Sequence, residues 1–406
     1  MIAAEESPPT TGDAFFPGPS HRILVVAPQP FYENRGTPIA LRKVLEAASL
    51  RGYEVDLLTF PVGESIELPG LRIFRVGTWL PIRKVPIGFS IRKVILDLFL
   101  LGAFLARVRR EKYACVYALE EAAYMVVPLR RWHGHPLIYD MQSSLPEMLE
   151  AHPVLGLAVF RRVLRSIERR VIRKADRIVC SAGLREYVLS VEPAANANEW
   201  HFPGEIMEIL AGDLYRLRMD LEILPGSRIV LYTGNFEPYQ GVERLLDAAL
   251  KVVEEEPGTV FVLVGDHSSS GLPDSQTAGR LRKRGALRLI PQRPSSDIPR
   301  YLAIADVVVS PRENIGNVGL KIFEYMAAGK PIVATDTQAH RAVLDEDRAV
   351  LVGLSPEEMG SAIVRLLRDR AAADRLGASA RAYAEKNLTG DAFADRVAAL
   401  CALGRK

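Results

Sequence analysis

The sequence predicts an α/β protein that contains two doubly wound parallel sheets. Short runs rich in β-branched residues alternate with helix-length amphipathic segments through most of the chain, which is typical of parallel strands joined by crossover helices. The alternation occurs in two series, which an irregular stretch rich in proline and glycine separates. A chain of 406 residues also exceeds what one hydrophobic core usually serves. Each series is therefore expected to form its own Rossmann-like domain.

The first series is expected to form a domain over residues 21–203. Residues 1–20 precede it, lack a signal-peptide pattern and are predicted to be a disordered arm. The predicted helices include Pro38–Arg51, Ser90–Arg110 and Ala158–Lys174. The predicted strands are Arg22–Ala27, Tyr53–Thr59, Leu71–Arg75, Tyr113–Tyr117, Pro136–Tyr139 and Arg177–Cys180.

The second series is expected to form a domain over residues 204–385, followed by a C-terminal helix within residues 386–406 that packs back toward the first domain. The stretch from Glu192 to Pro225 is predicted to be irregular, with the interdomain linker near Pro203. The predicted strands are Arg228–Thr233, Thr259–Gly265, Ala286–Ile290, Asp306–Ser310, Pro331–Thr335 and Arg348–Val352. Ligands of such sheets bind at the carboxyl ends of the strands, which places a site in the cleft between the domains.

Composition narrows the class of protein. A formal charge of +3 and the lack of aromatic residues interleaved with basic ones argue against a nucleic-acid partner. Cys115, Cys180 and Cys401 are widely spaced and show neither a disulfide framework nor metal-ligand spacing. No histidine cluster predicts a metal site. These features favour a protein of the reducing cytosol.

One segment carries the chemistry. From Asp306 to Asp336 the chain reads DVVVSPRENIGNVGLKIFEYMAAGKPIVATD, so a buried strand is followed by a loop, a helix that Gly319 opens, and another strand. The free amides and the dipole of a helix start bind anions, above all phosphates. Lys321 would lie in the first turn of this helix, beside a bound diphosphate. Glu324 would accept hydrogen bonds from the hydroxyls of a ribose. The stretch Asn314–Pro331 thus predicts a nucleotide diphosphate site.

The whole phrase resembles the signature of family 4 glycosyltransferases, which have the GT-B fold of two Rossmann-like domains facing across a cleft. The resemblance covers nearly all of the chain after the arm, including the stretches Leu231–Ala249 and Arg22–Thr59. The positions that match the signature are Gly319, Leu320, Glu324, Met326, Ala327, Gly329 and Pro331.

The resemblance implies a retaining glycosyltransferase of the hexosyltransferase type. It would move a sugar from a nucleotide diphosphate donor, a UDP-sugar being favoured, to a lipid-linked or cell-envelope glycan acceptor, and it would need no metal or other cofactor. Two alternatives stay open: a catalytically degenerate homologue that acts as a binding or partner subunit, and another GT-B activity such as epimerisation of a nucleotide sugar.

The resemblance also implies roles for individual residues. Lys321, Glu120 and Gln142 would act on the reacting groups. Gly36 would allow close approach of the transferred sugar, the alternative being a turn glycine before a helix that a proline initiates. The donor-binding set comprises Gly36, Gly234, Asn235, Gln240, Arg293, Gly316, Asn317, Val318, Gly319, Leu320, Lys321 and Glu324.

Several positions depart from the family pattern. Gly316 stands where the first of two signature carboxylates is usual, and Glu313 is the nearest alternative. Asn235 and Gln240 occupy the places of an arginine and a lysine that neutralise the diphosphate, and Gln142 that of a histidine. The candidate replacement cations are Lys321, which we favour, Arg293 and Arg312, together with the amides of residues 317–320.

Two basic stretches of the first domain suggest contact with the inner face of a membrane. They are Trp79–Lys112, around the apolar run Val94–Ala106, and Val159–Lys174. Basic amphipathic helices can lie among anionic headgroups and bring a protein to a lipid-linked acceptor. Alternatively, each helix simply buries one face on its sheet and exposes a charged one. The protein is accordingly expected in the cytoplasm, either free or peripheral on the membrane.

Overall fold

Two parallel sheets form the framework of the protein. The computed structural model describes residues 21–85, 90–148, 158–204, 209–267, 271–313 and 318–402. The first sheet has the order β3-β2-β1-β4-β5-β6-β7 and the second the order β10-β9-β8-β11-β12-β13. The predicted fold class of two doubly wound domains is confirmed. The predicted arm at residues 1–20 and the predicted site residues Gly316 and Asn317 lie outside the described residues.

The first sheet joins seven strands, all of them paired in parallel. Its strands are β1 (Arg22–Ala27), β2 (Glu54–Thr59), β3 (Leu71–Arg75), β4 (Cys115–Leu119), β5 (Leu137–Met141), β6 (Arg177–Ser181) and β7 (Ala197–Trp200). Its helices are α1 (Gly36–Leu50), α2 (Ile91–Arg110), α3 (Ala122–Val126), α4 (Arg130–His133), α5 (Leu145–Met148), α6 (Ala158–Lys174) and α7 (Arg185–Val191).

Helices cover both faces of this sheet. Along β1, Val25 belongs to the core shared with α1, and its neighbour Leu24 to the core shared with α2, α3, α6 and α7. This split follows from the alternation of side chains along a strand. Strands buried on both faces carry near-continuous apolar runs, which explains why the sequence located most of them within two residues.

The second sheet repeats this plan with six strands. They are β8 (Ile229–Thr233), β9 (Val260–Val264), β10 (Leu287–Ile290), β11 (Val307–Ser310), β12 (Ile332–Thr335) and β13 (Ala349–Val352). The helices are α8 (Ala211–Asp220), α9 (Val242–Glu255), α10 (Gln276–Lys283), α11 (Ile298–Ile304), α12 (Leu320–Ala327), α13 (Gln338–Arg341), α14 (Pro356–Arg368), α15 (Arg370–Asn387) and α16 (Gly390–Cys401). Pro238–Gln240 forms a 3₁₀ turn between β8 and α9.

The prediction that Glu192–Pro225 is irregular is wrong. This stretch contains the edge strand β7 and the helix α8. The four residues of β7 read ANEW. They do not alternate apolar with polar side chains, so no local pattern predicts a strand here. Its hydrogen bonds with β6 define it, and that partner is not visible in the local sequence.

Aromatic side chains join the two domains where the chain crosses between them. The ring of Phe202 lies 5.7 Å from Trp200 and 6.2 Å from Phe323 of α12. Phe393 of the C-terminal helix α16 lies 5.2 Å from Trp200. The same helix packs against the first domain, where Arg51 forms ion pairs with Asp391 and Asp395 of α16. The linker therefore runs between α12 and α16 through a shared apolar core.

The helix α2 contains the longest apolar run of the chain. It buries Leu96, Leu100 and Phe104 against the first sheet and exposes Val94 and Leu98. Among the described residues, no helix combines the length and the apolar composition that a membrane span requires.

Candidate functional site

Two glycines close the carboxyl end of the second sheet. Gly234 follows β8 with φ +137°, and Gly265 follows β9 with φ +158°. The amide of Gly234 donates to Val264 O at 2.9 Å, and a Cβ atom on Gly265 would lie only 1.7 Å from Gly234 O. The backbone therefore leaves no room for side chains here, and the positive φ values suit glycine alone. A Cβ atom on Gly234 itself would lie 2.9 Å from Lys321 Nζ.

Lys321 occupies the centre of this region. It lies in the first turn of α12, as predicted, and only 8% of its surface is exposed. Its ammonium group donates to Gln240 Oε1 at 3.1 Å and lies 4.0 Å from the centre of the Tyr232 ring. Lys321 forms no ion pair within the part of the chain that the structure describes.

A buried ammonium group without a carboxylate in contact is unstable as a cation. Burial, together with the nearby charge of Arg312, lowers the pKa of Lys321 well below its usual range, whereas Glu324 acts in the opposite direction. An anion at this point would restore the charged form. Lys321 also lies at the N-terminal end of α12, where helix amides and the helix dipole favour the same anion. The site is therefore suited to a phosphate group.

Arg312 approaches the same point from the end of β11. It is 6% exposed, and its guanidinium group lies 5.2 Å from the centre of the Tyr239 ring. Burial lowers its pKa, although an arginine stays charged throughout the physiological range. The sequence had presented it as one of several candidate cations, and the structure adds that it is buried next to Lys321.

The other predicted donor-site residues differ in burial and in hydrogen bonding. Gln240 is buried as the acceptor for Lys321, and Asn235 Oδ1 is buried with no hydrogen-bond partner among the described residues. Glu324 lies partly buried one turn after Lys321. Arg293 is exposed. The N-cap of α12 is Gly319. Of its two neighbours, Val318 is buried and Leu320 is half-buried.

Glu313 is turned away from this point. Its carboxylate accepts from Arg244 at 3.0 Å on the outer side of the loop, and its amide donates to Tyr239 O at 2.9 Å. In this arrangement it does not take the place of the carboxylate that Gly316 lacks.

Several polar groups that the sequence did not predict form hydrogen bonds at the strand ends beside the site. His340 Nδ1 donates to Thr335 O at 2.7 Å, and His340 Nε2 accepts from Ser310 Oγ at 3.0 Å. Burial lowers the pKa of His340 to about 4, so this histidine is neutral at neutral pH. The phenol of Tyr325 bonds to the amide and hydroxyl of Thr233 at the end of β8. No motif marks these residues, because the Ser310–His340 and Thr233–Tyr325 contacts join residues that are 30 and 92 positions apart.

The first domain places its predicted site residues at the facing edge. Gly36 begins α1, and a Cβ atom on it would meet nothing within 4 Å. Glu120 follows β4 with φ +46°, and it accepts a hydrogen bond from Ser143 Oγ at 2.9 Å. Burial raises the pKa of Glu120 to about 7. A carboxyl group with this pKa can bind a hydroxyl group in either protonation state.

Gln142 is built into a buried network. Its Nε2 donates to Asp140 at 2.6 Å, and its Oε1 accepts from Ser181 at 2.9 Å. Tyr117 and Trp200 also donate to Asp140, whose pKa burial raises to about 7. Both ends of the Gln142 amide are thus used to tie β5 to β6. A direct sugar contact of Gln142 stays a prediction.

The two edges meet across the cleft. Asn34 Nδ2, in the loop before α1, donates to Arg293 O at 2.7 Å, and Gln292 donates back to Asn34 O. On another side, Gln338 Nε2 donates to Glu186 at 2.7 Å. Among the described residues, no group of three or more His, Cys, Asp or Glu side chains is placed to hold a metal ion.

Two sequence families match the chain, one for each domain. The glycosyl transferase 4-like domain matches residues 35–197, and the family of glycosyl transferases group 1 matches residues 227–369. The chain belongs to the group 1 glycosyltransferases. The resemblance to family 4 enzymes is thereby confirmed.

Individual relatives agree with the family assignment. A D-inositol 3-phosphate glycosyltransferase of Segniliparus rotundus is 30% identical over 223 residues, which cover 53% of this chain and 49% of the relative. The chain thus spans about half the length of that relative. The enzyme of the same name from Thermomonospora curvata is 27% identical over 89% of both chains.

Solved structures share the fold. Sucrose-phosphate synthase from Thermosynechococcus elongatus has a TM-score of 0.76 at 20% identity, covering 94% of this chain and 98% of that protein. Anabaena HepE in complex with UDP has a TM-score of 0.72 at 18% identity, covering 93% of this chain and 98% of HepE. These similarities show the two-domain GT-B architecture.

Proposed function

We propose that the chain transfers a sugar from a nucleotide diphosphate donor, a UDP-sugar being favoured, to an acceptor with retention of configuration. The observation that carries the proposal is the position of Lys321, buried at the start of α12 with Gln240 and the Tyr232 ring around its ammonium group. HepE was solved with UDP, and the two relatives are glycosyltransferases. Both favour sugar transfer over a binding subunit without activity.

The chemistry follows from where negative charge develops. As the bond between sugar and diphosphate breaks, the departing phosphate gains charge that preorganised donors must stabilise. Lys321 and the amides at the start of α12 would supply that stabilisation. The acceptor hydroxyl would attack on the face of the leaving group and pass its proton to a phosphate oxygen. Gln142 cannot act as a base, and the reaction as proposed needs neither such a base nor a metal ion.

The test is donor turnover with a panel of UDP-, GDP- and ADP-sugars, with nucleotide binding measured in parallel by calorimetry. We expect one nucleotide to bind and its sugar to be hydrolysed slowly or transferred. Binding without turnover, unchanged when membranes are added, would contradict the enzyme and support the degenerate binding subunit. Turnover to an altered nucleotide sugar without release of nucleotide would instead indicate epimerisation.

We also propose that the acceptor is lipid-linked and that the chain meets it at the inner face of an anionic membrane. In α6, Val159, Val163 and Ile167 form an exposed apolar stripe at i, i+4 spacing. An adjacent stripe of the same helix is basic. It consists of Arg162, Arg165, Arg169 and Arg173.

The exposed part of α2 lies on the same side of the first domain. Both helices pack on one core, with α3 in contact with each of them. Val94, Ile95 and Leu98 of α2 are exposed there. An apolar stripe beside basic residues suits the boundary between acyl chains and anionic headgroups. A helix that only buried one face on its sheet would not expose both stripes.

Vesicle flotation tests this second proposal. We expect the chain to bind vesicles containing phosphatidylglycerol, and binding to fall with added salt and on pure phosphatidylcholine. Ile167→Glu should abolish binding, whereas Leu354→Glu, at an exposed leucine of the second domain, should not. Equal binding by both variants would contradict the proposal that the α6 surface binds the membrane. It would leave the proposal for the donor site unaffected.

A further inference from the structure

Most of the large apolar residues that the described part of the first domain exposes lie toward one edge of its sheet. The strands are parallel, so their carboxyl ends lie together at the edge that faces the cleft. A crossover helix runs back antiparallel to the strands, so its first turns lie beside that edge and its last turns beside the opposite one. In both α2 and α6 the exposed large apolar side chains lie in the earlier turns of the helix. They are Val94, Ile95 and Leu98 in α2 and Val159, Phe160, Val163 and Ile167 in α6.

The helix α6 extends beyond the carboxyl edge of the sheet. Glu168 is its first buried residue, and the carboxylate accepts hydrogen bonds from Ser144 Oγ and from the amide of Leu145, each at 3.1 Å. Both donors lie shortly after β5 ends at Met141, so position 168 is level with the sheet edge. The described residues 158–167 include no buried side chain. At the helical rise per residue, they project roughly 15 Å past the edge.

The start of α2 and the segment after β3 lie at the same edge. Lys93, in the first turn of α2, forms an ion pair at 2.6 Å with Glu121, which comes just after β4. The ring of Trp79, which follows β3, packs against Phe99 of α2 at 5.1 Å and stays 71% exposed. A tryptophan ring that is exposed beside apolar side chains suits the headgroup level of a bilayer.

The opposite edge of the sheet is basic. The last turns of α6 expose Arg173 there. Trp132 lies at this edge because α4 leads into β5, and the guanidinium group of Arg109 covers its ring at 4.7 Å. Arg130 of α4 donates to Lys174 O, at the end of α6, at 2.8 Å. The helical layer of the first domain therefore changes along its length from apolar and basic to basic alone.

We propose that the carboxyl edge of the first sheet enters the membrane surface, with the projecting turns of α6, the first turns of α2 and Trp79 among the headgroups and upper acyl chains. This inference rests on the proposed membrane contact, to which it adds an orientation. Arg162 and Arg165, on the projecting turns, would meet the lipid phosphates. The loop after β5 places Ser143 Oγ 2.9 Å from Glu120 at this same edge. A lipid-linked acceptor would thus reach Glu120 directly from the bilayer.

Tryptophan fluorescence tests the orientation, because the three tryptophans of the chain report on different places. Trp79 lies at the proposed membrane edge, Trp132 at the opposite edge, and Trp200 is buried where the chain crosses between the domains. The full chain is mixed with phosphatidylglycerol vesicles whose acyl chains carry bromine, which quenches indole on contact. We expect strong quenching in Trp132→Phe, which keeps Trp79. The matched variant Trp79→Phe should float with the vesicles but show little quenching.

The outcomes separate the orientation from the membrane contact itself. Quenching that is lost in Trp132→Phe, or that is equal in the two variants, would overturn the orientation and leave the membrane contact standing. Flotation without quenching in either variant would show contact without insertion and overturn the orientation as well. If the unmodified chain does not float with the vesicles, both proposals fail, whereas the proposal for the donor site is unaffected.

A second measurement decides if Trp79→Phe does not fold. A polarity-sensitive dye is attached to Val163→Cys, on the projecting turns of α6, or to Arg173→Cys, near the other end of the helix; both positions are exposed. The native cysteines are buried and should not compete for the dye. Vesicles should shift the emission to the blue at position 163 only. A shift at position 173, or none at 163, would overturn the orientation.

Discussion

The ammonium nitrogen of Lys321 lies 3.1 Å from Gln240 Oε1, the side chain that stands where the family resemblance leads one to expect a lysine. The loop after β8 thus keeps a polar residue at this position but uses it to orient a cation from α12. A hydrogen bond to a neutral acceptor leaves the positive charge of Lys321 available to a ligand. The glutamine at position 240 therefore weakens the proposed donor site little when Lys321 is charged in the complex.

Lys321→Met should separate binding from stability. Removing the ammonium group should weaken UDP binding about 10- to 100-fold. The unfolding free energy should stay the same or rise by about 1–4 kcal/mol, because a buried cation without an ion pair is replaced by an apolar side chain. Calorimetry and chemical denaturation measure the two effects.

Lys330→Met is the matched control for this prediction. Lys330 donates to Ala303 O and Ala305 O, each at 2.9 Å, and has no place in the proposed site. We expect its replacement to lower stability and to leave nucleotide affinity unchanged. The reverse pattern in the two variants would refute the assignment of Lys321.

Nucleotide affinity should fall as the pH rises. In the free protein, burial and Arg312 hold the pKa of Lys321 below its usual range, and a bound diphosphate should raise it again. Between these two pKa values, binding takes up a proton, so the dissociation constant increases with pH across that window. Calorimetry in two buffers of different ionisation enthalpy should reveal the proton uptake. Its absence in Lys321→Met would assign it to this residue, whereas persistence there would assign it to another titrating group.

Two glycine substitutions should act differently. Gly234→Ala forces a positive φ on alanine and brings its Cβ atom to 2.9 Å from Lys321 Nζ. We expect it to cost about 1–3 kcal/mol of stability and to reduce UDP binding.

Gly36→Ala meets no protein atom within 4 Å and should leave stability and UDP affinity unchanged. If Gly36 lies beside the transferred sugar, sugar transfer alone should fall. Unchanged transfer would refute that role.

Glu324→Ala should reduce affinity for nucleotides but not for inorganic pyrophosphate. The carboxylate is predicted to hold the ribose hydroxyls, which pyrophosphate lacks. Its removal should also lower the pKa of Lys321 further, because Glu324 favours the charged lysine. Measuring pyrophosphate as a competitor below neutral pH keeps that second effect small. Equal losses for both ligands would contradict a ribose contact.

Local patterns predicted the strands and the donor helix well, for identifiable reasons. Strands such as β8 and β9 are buried on both faces, so their apolar runs are visible in the sequence. Gly319 and Gly329 mark the ends of α12 for the same local reason, and Lys321 fell in its first turn as expected. The strand β7 was missed because its stability comes from β6 and not from its own residues.

The sequence by itself determined that this chain forms two Rossmann-like domains and carries a group 1 glycosyltransferase signature around Lys321 and Glu324. Both properties depend on periodicity and spacing within short stretches of chain. Only the tertiary structure decided that Arg312 and Lys321 converge on Gly319, that Gln240 orients the lysine, and that Gln142 is held by Asp140 and Ser181. Those relationships arise where ends of parallel strands distant in sequence meet at one sheet edge, which no local pattern encodes.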